Sequence, residues 1–418
     1  MKHFGKWTLG VGFGALALGC GAAEESRDPR VVTRVTSELR PLVEGSNAFT
    51  LDFYAQAAAN REGNLFASPL SIAAVFALAE LGAGGKTQEE MRTVLHIGTD
   101  ETLYHREFGR LMKDLGGDHP GRGYELSIAN RLFLQNGFTP KPGYSSEVAD
   151  DYGPGLENVD FSQAATVDHV NDWVKGETQG LIAKLFDHFD SSTRMALAIA
   201  IYFHGLWASP FEKENTTDQQ FAVSATETKQ VPMMHTLGGY GCGGDTTLRV
   251  VELDYVDHEV SMLILMPGDF RDPYAPSPYV PLADFESSLS IDRLTGLLET
   301  VEPCASQLAL PKFVVDSEFD LAQSLPQLGM TRAFSEGSAD FSRLTDEHVF
   351  IDRALHKAHV EVDENGTRAA AATGATLVET SASLPLSIDH PFVFLIRDKL
   401  TSTILFMGRI TDPTASDE

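Results

Sequence analysis

The sequence predicts an α+β fold. Helical and strand patterns follow one another without a regular strand–helix repeat, and the strand patterns at 195–203 and 261–266 are almost continuously apolar. The missing repeat argues against a parallel α/β sheet, and continuously apolar strands are typical of strands buried on both faces. With 418 residues, 43% of them hydrophobic, the chain is long enough for one large domain or two small ones.

The chain is strongly acidic, with a formal net charge of -27 and no run of basic residues. Nucleic acids and anionic membranes require Lys and Arg concentrated on one face, so we expect neither as a partner. A solvated acidic surface accounts for the charge, because net charge affects solubility rather than fold.

The N-terminal residues have the features of a secretory signal. Lys2, His3 and Lys6 precede an apolar stretch at 7–18, which is too short to span a membrane. The segment from Leu16 to Cys20 also resembles a bacterial lipobox, in which the cysteine is lipidated and becomes the mature N-terminus. We therefore expect an exported bacterial protein, either lipid-anchored through Cys20 or released by ordinary signal cleavage.

Residues 21–45 are polar with scattered apolar positions and are predicted to form a tether. The folded part is predicted to begin at Ser46, a possible N-cap for a helix with apolar residues at helical spacing. Only Cys242 and Cys304 lie beyond the N-terminal segment. Two cysteines are too few for a disulfide framework, so free thiols are expected, and their spacing does not suggest a metal site.

Two further helices have recognisable starts. Ser68 followed by Pro69 combines an N-cap with a proline at the first helical position, and this helix is predicted to end at Gly82. Thr87 and Glu90 form a capping-box pattern that predicts the next helix.

Strands are predicted wherever apolar residues alternate or run continuously, and an amphipathic helix is predicted between the first two strands. The predicted strands are 126–133, 195–203, 261–266, 356–363, 391–396 and 402–407, and the helix lies at 167–174.

Residues 364–382, ENGTRAAAATGATLVETSA, separate two of these strands where a tight hairpin would be expected. Alanine is poor in strands, and the run between Gly366 and Gly374 is too short to form a stable helix in water. Neither state is locally specified, which is expected of a functional site that changes conformation. A flexible linker is the alternative interpretation.

With its other motifs, the chain resembles the serpin family of protease inhibitors. The resemblance covers residues 46–413 and implies a single domain of three β-sheets and about nine helices, followed by a short tail at 414–418. The matching motifs include NLFASPLSIAAVFALAELGAGGKT (64–87), LSIANRLF (126–133), VNDWVKGETQGLI (170–182), IYFHGLW (201–207), LPKF (310–313), HKAHVEVDENGTRAAAAT (356–373) and HPFVFLIRD (390–398).

In this family the protease cleaves an exposed loop, forms an acyl-enzyme, and is trapped when the cut loop inserts as a central strand. The resemblance implies an anchoring role for Glu364, although a plain surface charge is the alternative. Alternation divides the inserted residues into two sets, and the resemblance implies that the small residues Thr367, Ala369, Ala371 and Thr373 point inward. Arg368, where the family usually has glutamate, then lies on the solvent side. The implied hinge comprises Glu364, Gly366, Thr367, Arg368, Ala369, Ala370, Ala371, Ala372 and Thr373.

The usual loop length of the family implies a reactive bond between Thr380 and Ser381. A medium-sized β-branched residue suits a shallow primary pocket, so elastase-like or subtilisin-like serine proteases are the expected targets, bound covalently. A register shift by one residue would make Glu379 the primary residue and favour a glutamyl-specific or papain-like cysteine protease. No cofactor or metal is implied, and a monomer is expected.

Family members bury a hydrogen-bonded cluster where the large sheet opens. Ser68, Ser71 and His356 match it, but the usual asparagine is replaced by Ile199. His356 is therefore expected either to lack a partner or to be a core histidine bonded to Ser68 or to the backbone. Trp207 matches a tryptophan near the point where the loop inserts, unless it serves packing alone.

The sequence does not favour an enzyme, because it contains no G-x-S-x-G motif and no second histidine at metal spacing. Residues 109–123 lack the basic cluster of heparin-activated members. The sequence thus predicts an inhibitory serpin. The alternative is a non-inhibitory serpin that acts as a binding or chaperone module.

Overall fold

A computed structural model describes residues 36–98, 100–116, 123–270, 279–367 and 386–415. In these ranges the chain forms nine α-helices. None of them combines the length and apolarity that crossing a bilayer requires. The helices are α1 (Arg40–Asn60), α2 (Pro69–Leu81), α3 (Gly85–Val94), α4 (Glu101–Gly116), α5 (Pro142–Asp151), α6 (Ala165–Glu177), α7 (Leu282–Glu286), α8 (Ile291–Leu298) and α9 (Leu321–Ser324).

The strands of the same ranges form three sheets. In chain order they are β1 (Leu65–Ala67), β2 (Tyr124–Gln135), β3 (Leu156–Val159), β4 (Met195–Leu206), β5 (Thr217–Ala222), β6 (Thr228–Leu237), β7 (Tyr240–Gly244), β8 (Leu248–Asp254), β9 (Val260–Pro267), β10 (Glu302–Cys304), β11 (Gln307–Pro311), β12 (Phe313–Asp320), β13 (Arg353–Val362), β14 (Gly366–Thr367), β15 (Leu386–Ser387), β16 (Phe392–Asp398) and β17 (Ile404–Ile410).

The six-stranded sheet, with strand order β12-β13-β14-β4-β2-β3, is called the central sheet below. A seven-stranded sheet runs β1-β17-β16-β9-β8-β7-β10, and a four-stranded sheet runs β15-β11-β6-β5. Together with the helices these sheets confirm the predicted α+β class and the three-sheet architecture. All the predicted strands are present, and β4 and β9 are almost entirely buried, as their continuous apolar patterns predicted.

Helices cover the central sheet, and the core lies between these layers. Every residue of α2 is buried, which explains why this helix is apolar on all sides. On the other side, α6 places Val170 and Val174 against a separate apolar cluster that includes Phe133 of β2. The central sheet is therefore packed on both faces and is the element that positions the site.

The N-terminal boundary of the fold differs from the prediction. The first helix begins at Arg40 rather than at Ser46, and Leu42 and Val43, assigned to the tether, are buried. Ser46 is buried inside the helix and its side-chain oxygen does not cap it. The predicted signal, Cys20 and most of the tether lie outside the described residues.

The capping-box prediction for the third helix was also wrong. Its N-cap is Gly84, without a side-chain hydrogen bond. Thr87 and Glu90 instead bind a distant segment: the Thr87 hydroxyl accepts from Asp340 N at 3.0 Å, and Glu90 accepts from Thr331 N at 2.9 Å. The two side chains therefore accept hydrogen bonds from a distant segment instead of capping their own helix.

The two cysteines beyond the N-terminal segment form a disulfide, which corrects the expectation of free thiols. Cys242 of β7 and Cys304 of β10 have Cα atoms 5.7 Å apart. In the antiparallel pairing of these strands, Cys242 lies opposite Glu302 and Cys304 lies opposite Tyr240, so the bond is diagonal. Only the pairing of two strands distant in sequence brings the cysteines together.

Reduction of this disulfide is expected to lower the free energy of unfolding by about 4 kcal/mol, because the bond closes a long loop and restricts the unfolded chain. The measurement is urea unfolding with and without dithiothreitol. The double variant Cys242→Ala, Cys304→Ala should have the same free energy of unfolding as the reduced protein, and dithiothreitol should not change it. Identical unfolding midpoints for the oxidised and reduced wild type would contradict the assignment.

Candidate site at the loop hinge

The start of the alanine-rich segment lies inside the central sheet. Strands β13 and β4 pair directly in parallel from Arg353 opposite Ala196 to Ala358 opposite Ile201. Beyond that point they separate, and the two-residue strand β14 lies between them. The central sheet is therefore closed over one part of its length and already opened by the hinge over the other.

Thr367 points into the core, at a position that the family resemblance implied to be inward. It is fully buried and lies opposite Val362 of β13 and Gly205 of β4. Its hydroxyl shares a hydrogen bond of 2.6 Å with the hydroxyl of Tyr255. Burial raises the pKa of Tyr255, so this hydroxyl stays protonated and remains available for hydrogen bonding.

Two glycines allow the hinge to approach so closely. A methyl group on Gly366 would overlap the carbonyl oxygen of Gly205 on the neighbouring strand. A methyl group on Gly205 would lie 2.6 Å from the Tyr255 ring. Glycine at 366 therefore allows the close approach of the two backbones, and glycine at 205 leaves room for the Tyr255 ring.

Trp207 holds the backbone just before the hinge. Its indole Nε1 donates to Asp363 O at 3.0 Å, and its backbone N donates to Asn365 O at 2.9 Å. The indole stacks on Tyr255 with ring centroids 4.6 Å apart. Trp207 therefore makes hydrogen bonds to this backbone in addition to its packing contacts, and its role in loop insertion stays a prediction.

Glu364 is anchored by charge and by hydrogen bonds. Its carboxylate accepts from Thr216 Oγ1 at 2.8 Å and from Lys312 Nζ at 2.9 Å, and the residue is only 4% exposed. Burial alone would raise the pKa of Glu364, but the bonds from Lys312 and Thr216 outweigh it and lower the pKa. A plain surface charge is therefore excluded as the description of this residue.

The cluster of Ser68, Ser71 and His356 lies where β13 and β4 pair. His356 is fully buried, its Nε2 accepts from Ser68 N at 3.1 Å, and its Nδ1 lies 3.3 Å from Ile199 O. His356 thus has partners, as the core-histidine interpretation predicted. Because Nε2 accepts, the proton is on Nδ1 and donates to the carbonyl.

An asparagine completes this cluster from a different strand. Asn130 of β2 lies directly opposite Ile199 of β4. Its amide donates to Ser71 O at 2.9 Å and its oxygen accepts from Ser71 Oγ at 2.8 Å. An amide from the neighbouring strand therefore binds Ser71, whereas His356 is bonded to Ser68 and to the backbone carbonyl of Ile199.

Acidification is expected to destabilise the closed sheet through His356. Burial lowers the pKa of His356 to about 4, against about 6.5 in an unfolded chain. The unfolded state then binds the proton more readily, so this contribution is present above pH ~6.5 and is lost as the pH falls toward ~4. The loss should reach about 3 kcal/mol, measured as the free energy of unfolding from urea titrations across this range.

The variant His356→Asn should lack this part of the pH dependence, whatever its absolute stability. The matched control is His258→Asn, which removes an exposed histidine and should leave the slope unchanged. A slope between pH ~6.5 and ~4 that is equal in wild type and His356→Asn would contradict the prediction.

Sequence reasoning missed four of the residues at this site: Tyr255, Lys312, Thr216 and Asn130. Lys312 lies in the LPKF motif and Asn130 in LSIANRLF. These two residues therefore belong to motifs that indicate the family, but the motifs do not indicate what each residue does. The hinge residues Arg368, Ala369, Ala370, Ala371, Ala372 and Thr373 and the bond Thr380–Ser381 lie outside the described residues.

Comparisons with known proteins agree with this geometry. The family model described as Serpin (serine protease inhibitor) matches residues 44–413. The chain is 36% identical to leukocyte elastase inhibitor of Xenopus laevis over 362 residues, which covers 85% of this chain and 94% of that protein.

Solved structures give the same result. Native protease nexin-1, solved with heparin, superposes with a TM-score of 0.78 at 28% identity, covering 89% of this chain and 99% of that one. Human thyroxine-binding globulin, solved with its ligand, gives a TM-score of 0.79 at 28% identity, covering 91% of this chain and 100% of that one. The family model and these relatives show that the protein belongs to the serpin family.

Proposed function

We propose that this protein inhibits serine proteases as a suicide substrate and is not itself an enzyme. The observation that carries the proposal is the position of β14 between β13 and β4, with the small, buried Thr367 pointing inward. A cleaved loop would continue from this residue between β13 and β4 and would separate the two strands where they now pair directly. The strand β14 already sets its register. A relative named leukocyte elastase inhibitor supports a protease target.

The reactive bond is proposed at Thr380–Ser381, with elastase-like or subtilisin-like proteases as targets. The β-branched Thr380 fits a shallow pocket, and no Lys or Arg lies between Ala369 and Ile396 to attract a trypsin-like enzyme. A cysteine protease of the papain type is the expected target if Glu379 is the primary residue instead.

The test is incubation with elastase, subtilisin, trypsin and papain, followed by denaturing electrophoresis and N-terminal sequencing. We expect a complex that resists denaturation and a new N-terminus at Ser381. A new terminus at Thr380 would assign Glu379 as the primary residue. Clean cleavage that leaves all four proteases fully active would contradict an inhibitory function.

A binding function is the second candidate, and the similarity to human thyroxine-binding globulin favours it. The two candidates differ in the response of the loop. A binding module need not form a covalent complex with any protease, whereas an inhibitor must.

We also propose that the protein is exported, either anchored through a lipid on Cys20 or released. The disulfide between Cys242 and Cys304 supports export, because such bonds persist in oxidising compartments. Mass spectrometry of the mature N-terminus separates the two forms: a diacylglyceryl-modified Cys20 indicates an anchor, and an unmodified terminus indicates release.

A further inference from the structure

A second polar cluster, away from the hinge, joins the end of α2 to the first turns of α4. It consists of Glu80, Glu101 and His105, called the Glu80 cluster below. One ligand atom from each residue lies within 4.8 Å of the others, and this is the one such group of three within the described ranges. We propose that the Glu80 cluster is a binding site for a divalent transition-metal ion such as Zn²⁺.

The residue types and their spacing suit such an ion. Glu101 and His105 are four residues apart on α4, so both side chains lie on one face of the helix. Imidazole nitrogen and carboxylate oxygen are the ligands that Zn²⁺ and Co²⁺ accept, and three protein ligands leave a fourth position for water. Glu80, from α2, supplies the third ligand and would tie the two helices together.

The buried carboxylate of Glu80 gives an independent indication. Glu80 is fully buried, and its Oε1 accepts no hydrogen bond from the residues that the structure describes, although Arg92 Nη1 forms an ion pair with it at 3.7 Å. The other oxygen, Oε2, lies 2.9 Å from His105 Nε2. A buried carboxylate oxygen without a donor is costly, and a metal ion would satisfy it.

The ring nitrogen of His105 that faces away from Glu80 has a hydrogen-bond partner, as is usual for a metal-binding histidine. This nitrogen, Nδ1, lies 2.6 Å from the hydroxyl of Tyr152. This contact fixes the ring so that Nε2 points at the carboxylate of Glu80. Partners of this kind orient ligating histidines and strengthen metal binding.

Arg92 now occupies the space between the two carboxylates. Its Nη1 lies 3.7 Å from Glu80 Oε1 and 3.4 Å from Glu101 Oε2. Arg343 also pairs with Glu101, at 2.6 Å. The arginine side chains are 19% and 41% exposed, whereas Glu80 and His105 are 0% and 2% exposed. A metal ion would therefore have to displace the arginines, and Arg92 would also give up its hydrogen bond to Gly98 O.

The competition by Arg92 gives the proposal a specific signature. If the metal ion replaces its guanidinium, Arg92→Gln should bind the ion more tightly than the wild type, because a competing cation is removed. His105→Asn and Glu101→Gln should each weaken binding by at least about tenfold, since each removes a ligand. A purely structural cluster of ion pairs would show none of these changes.

The experiment is isothermal titration of the purified protein with ZnCl₂ and with CoCl₂, together with the visible absorption of bound Co²⁺. We expect one ion per chain and an increase in Tm on adding Zn²⁺. The matched control is His258→Asn, because His258 also pairs with an acidic residue four positions away, Asp254, but lies on the surface without a third ligand.

Two outcomes would overturn the proposal. One is no saturable binding by either the wild type or Arg92→Gln. The other is equal affinity in the wild type and Glu101→Gln, a variant at a partly exposed position that should fold even if His105→Asn does not. Neither outcome bears on protease inhibition, so this test is independent of the proposed function.

Discussion

Replacement of Thr367 with arginine is expected to convert the protein from an inhibitor into a substrate. Thr367 is fully buried between β13 and β4, and its hydroxyl is bonded to Tyr255. We expect the arginine to leave the sheet in the intact chain. Burying its unpaired guanidinium during insertion would cost about 3–5 kcal/mol, which corresponds to about 150- to 5,000-fold in the rate of loop insertion. Deacylation would then release the protease before the loop could trap it.

The measurement is the number of inhibitor molecules consumed for each protease molecule inhibited. Thr367→Arg should be cleaved at the same bond as the wild type but should leave the protease active. The control is Thr226→Arg, which places the same charge at an exposed turn and should inhibit normally. Undiminished inhibition by Thr367→Arg would contradict the inward position of this residue in the inserted loop.

Cleavage of the loop near residue 380 is expected to raise the thermal resistance of the protein. In the intact chain, β13 and β4 pair directly only from Arg353 opposite Ala196 to Ala358 opposite Ile201. Insertion replaces this parallel pairing with two antiparallel ladders on either side of the new strand, and each added hydrogen bond contributes about 0.5–1.5 kcal/mol. For the matched region, residues 44–413, a net gain of about 5 kcal/mol would raise Tm by roughly 6 °C.

Calorimetry before and after limited proteolysis measures this difference. The variant Thr367→Arg serves as the control here as well, since its cleaved form should gain little thermal resistance. Superimposable heating curves for intact and cleaved wild type would mean that the sheet does not accept the loop. The proposal of a suicide-substrate inhibitor would then fail, although membership of the family would stand.

Local rules predicted much of the fold from the sequence. Ser68 caps α2 and accepts from Ser71 N at 3.3 Å, and this helix runs from Pro69 to Leu81, as the cap and the following Gly82 indicated. The alternation in β13 correctly identified His356, Ala358, Val360 and Val362 as its buried side. Such patterns are readable because each depends on residues only a few positions apart.

Contacts between residues that are distant in sequence were harder to predict. The pattern of Thr87 and Glu90 looked like a cap, yet both side chains bind residues more than 200 positions away. Ile199 appeared to leave His356 without a partner, but the backbone carbonyl of Ile199 lies 3.3 Å from His356 Nδ1, and Asn130 of the adjacent strand binds Ser71. In each case the residue type was visible and its partner was not.

The sequence by itself determined the α+β class, the family resemblance and the small inward residue at the hinge, because these follow from local propensity, alternation and motif order. The tertiary structure decided the disulfide across 62 residues and the bond between Tyr255 and Thr367 across 112 residues. It also brought Glu80 to His105. Strand register and helix packing fix such pairs, and neither is encoded in the spacing of the residues that meet.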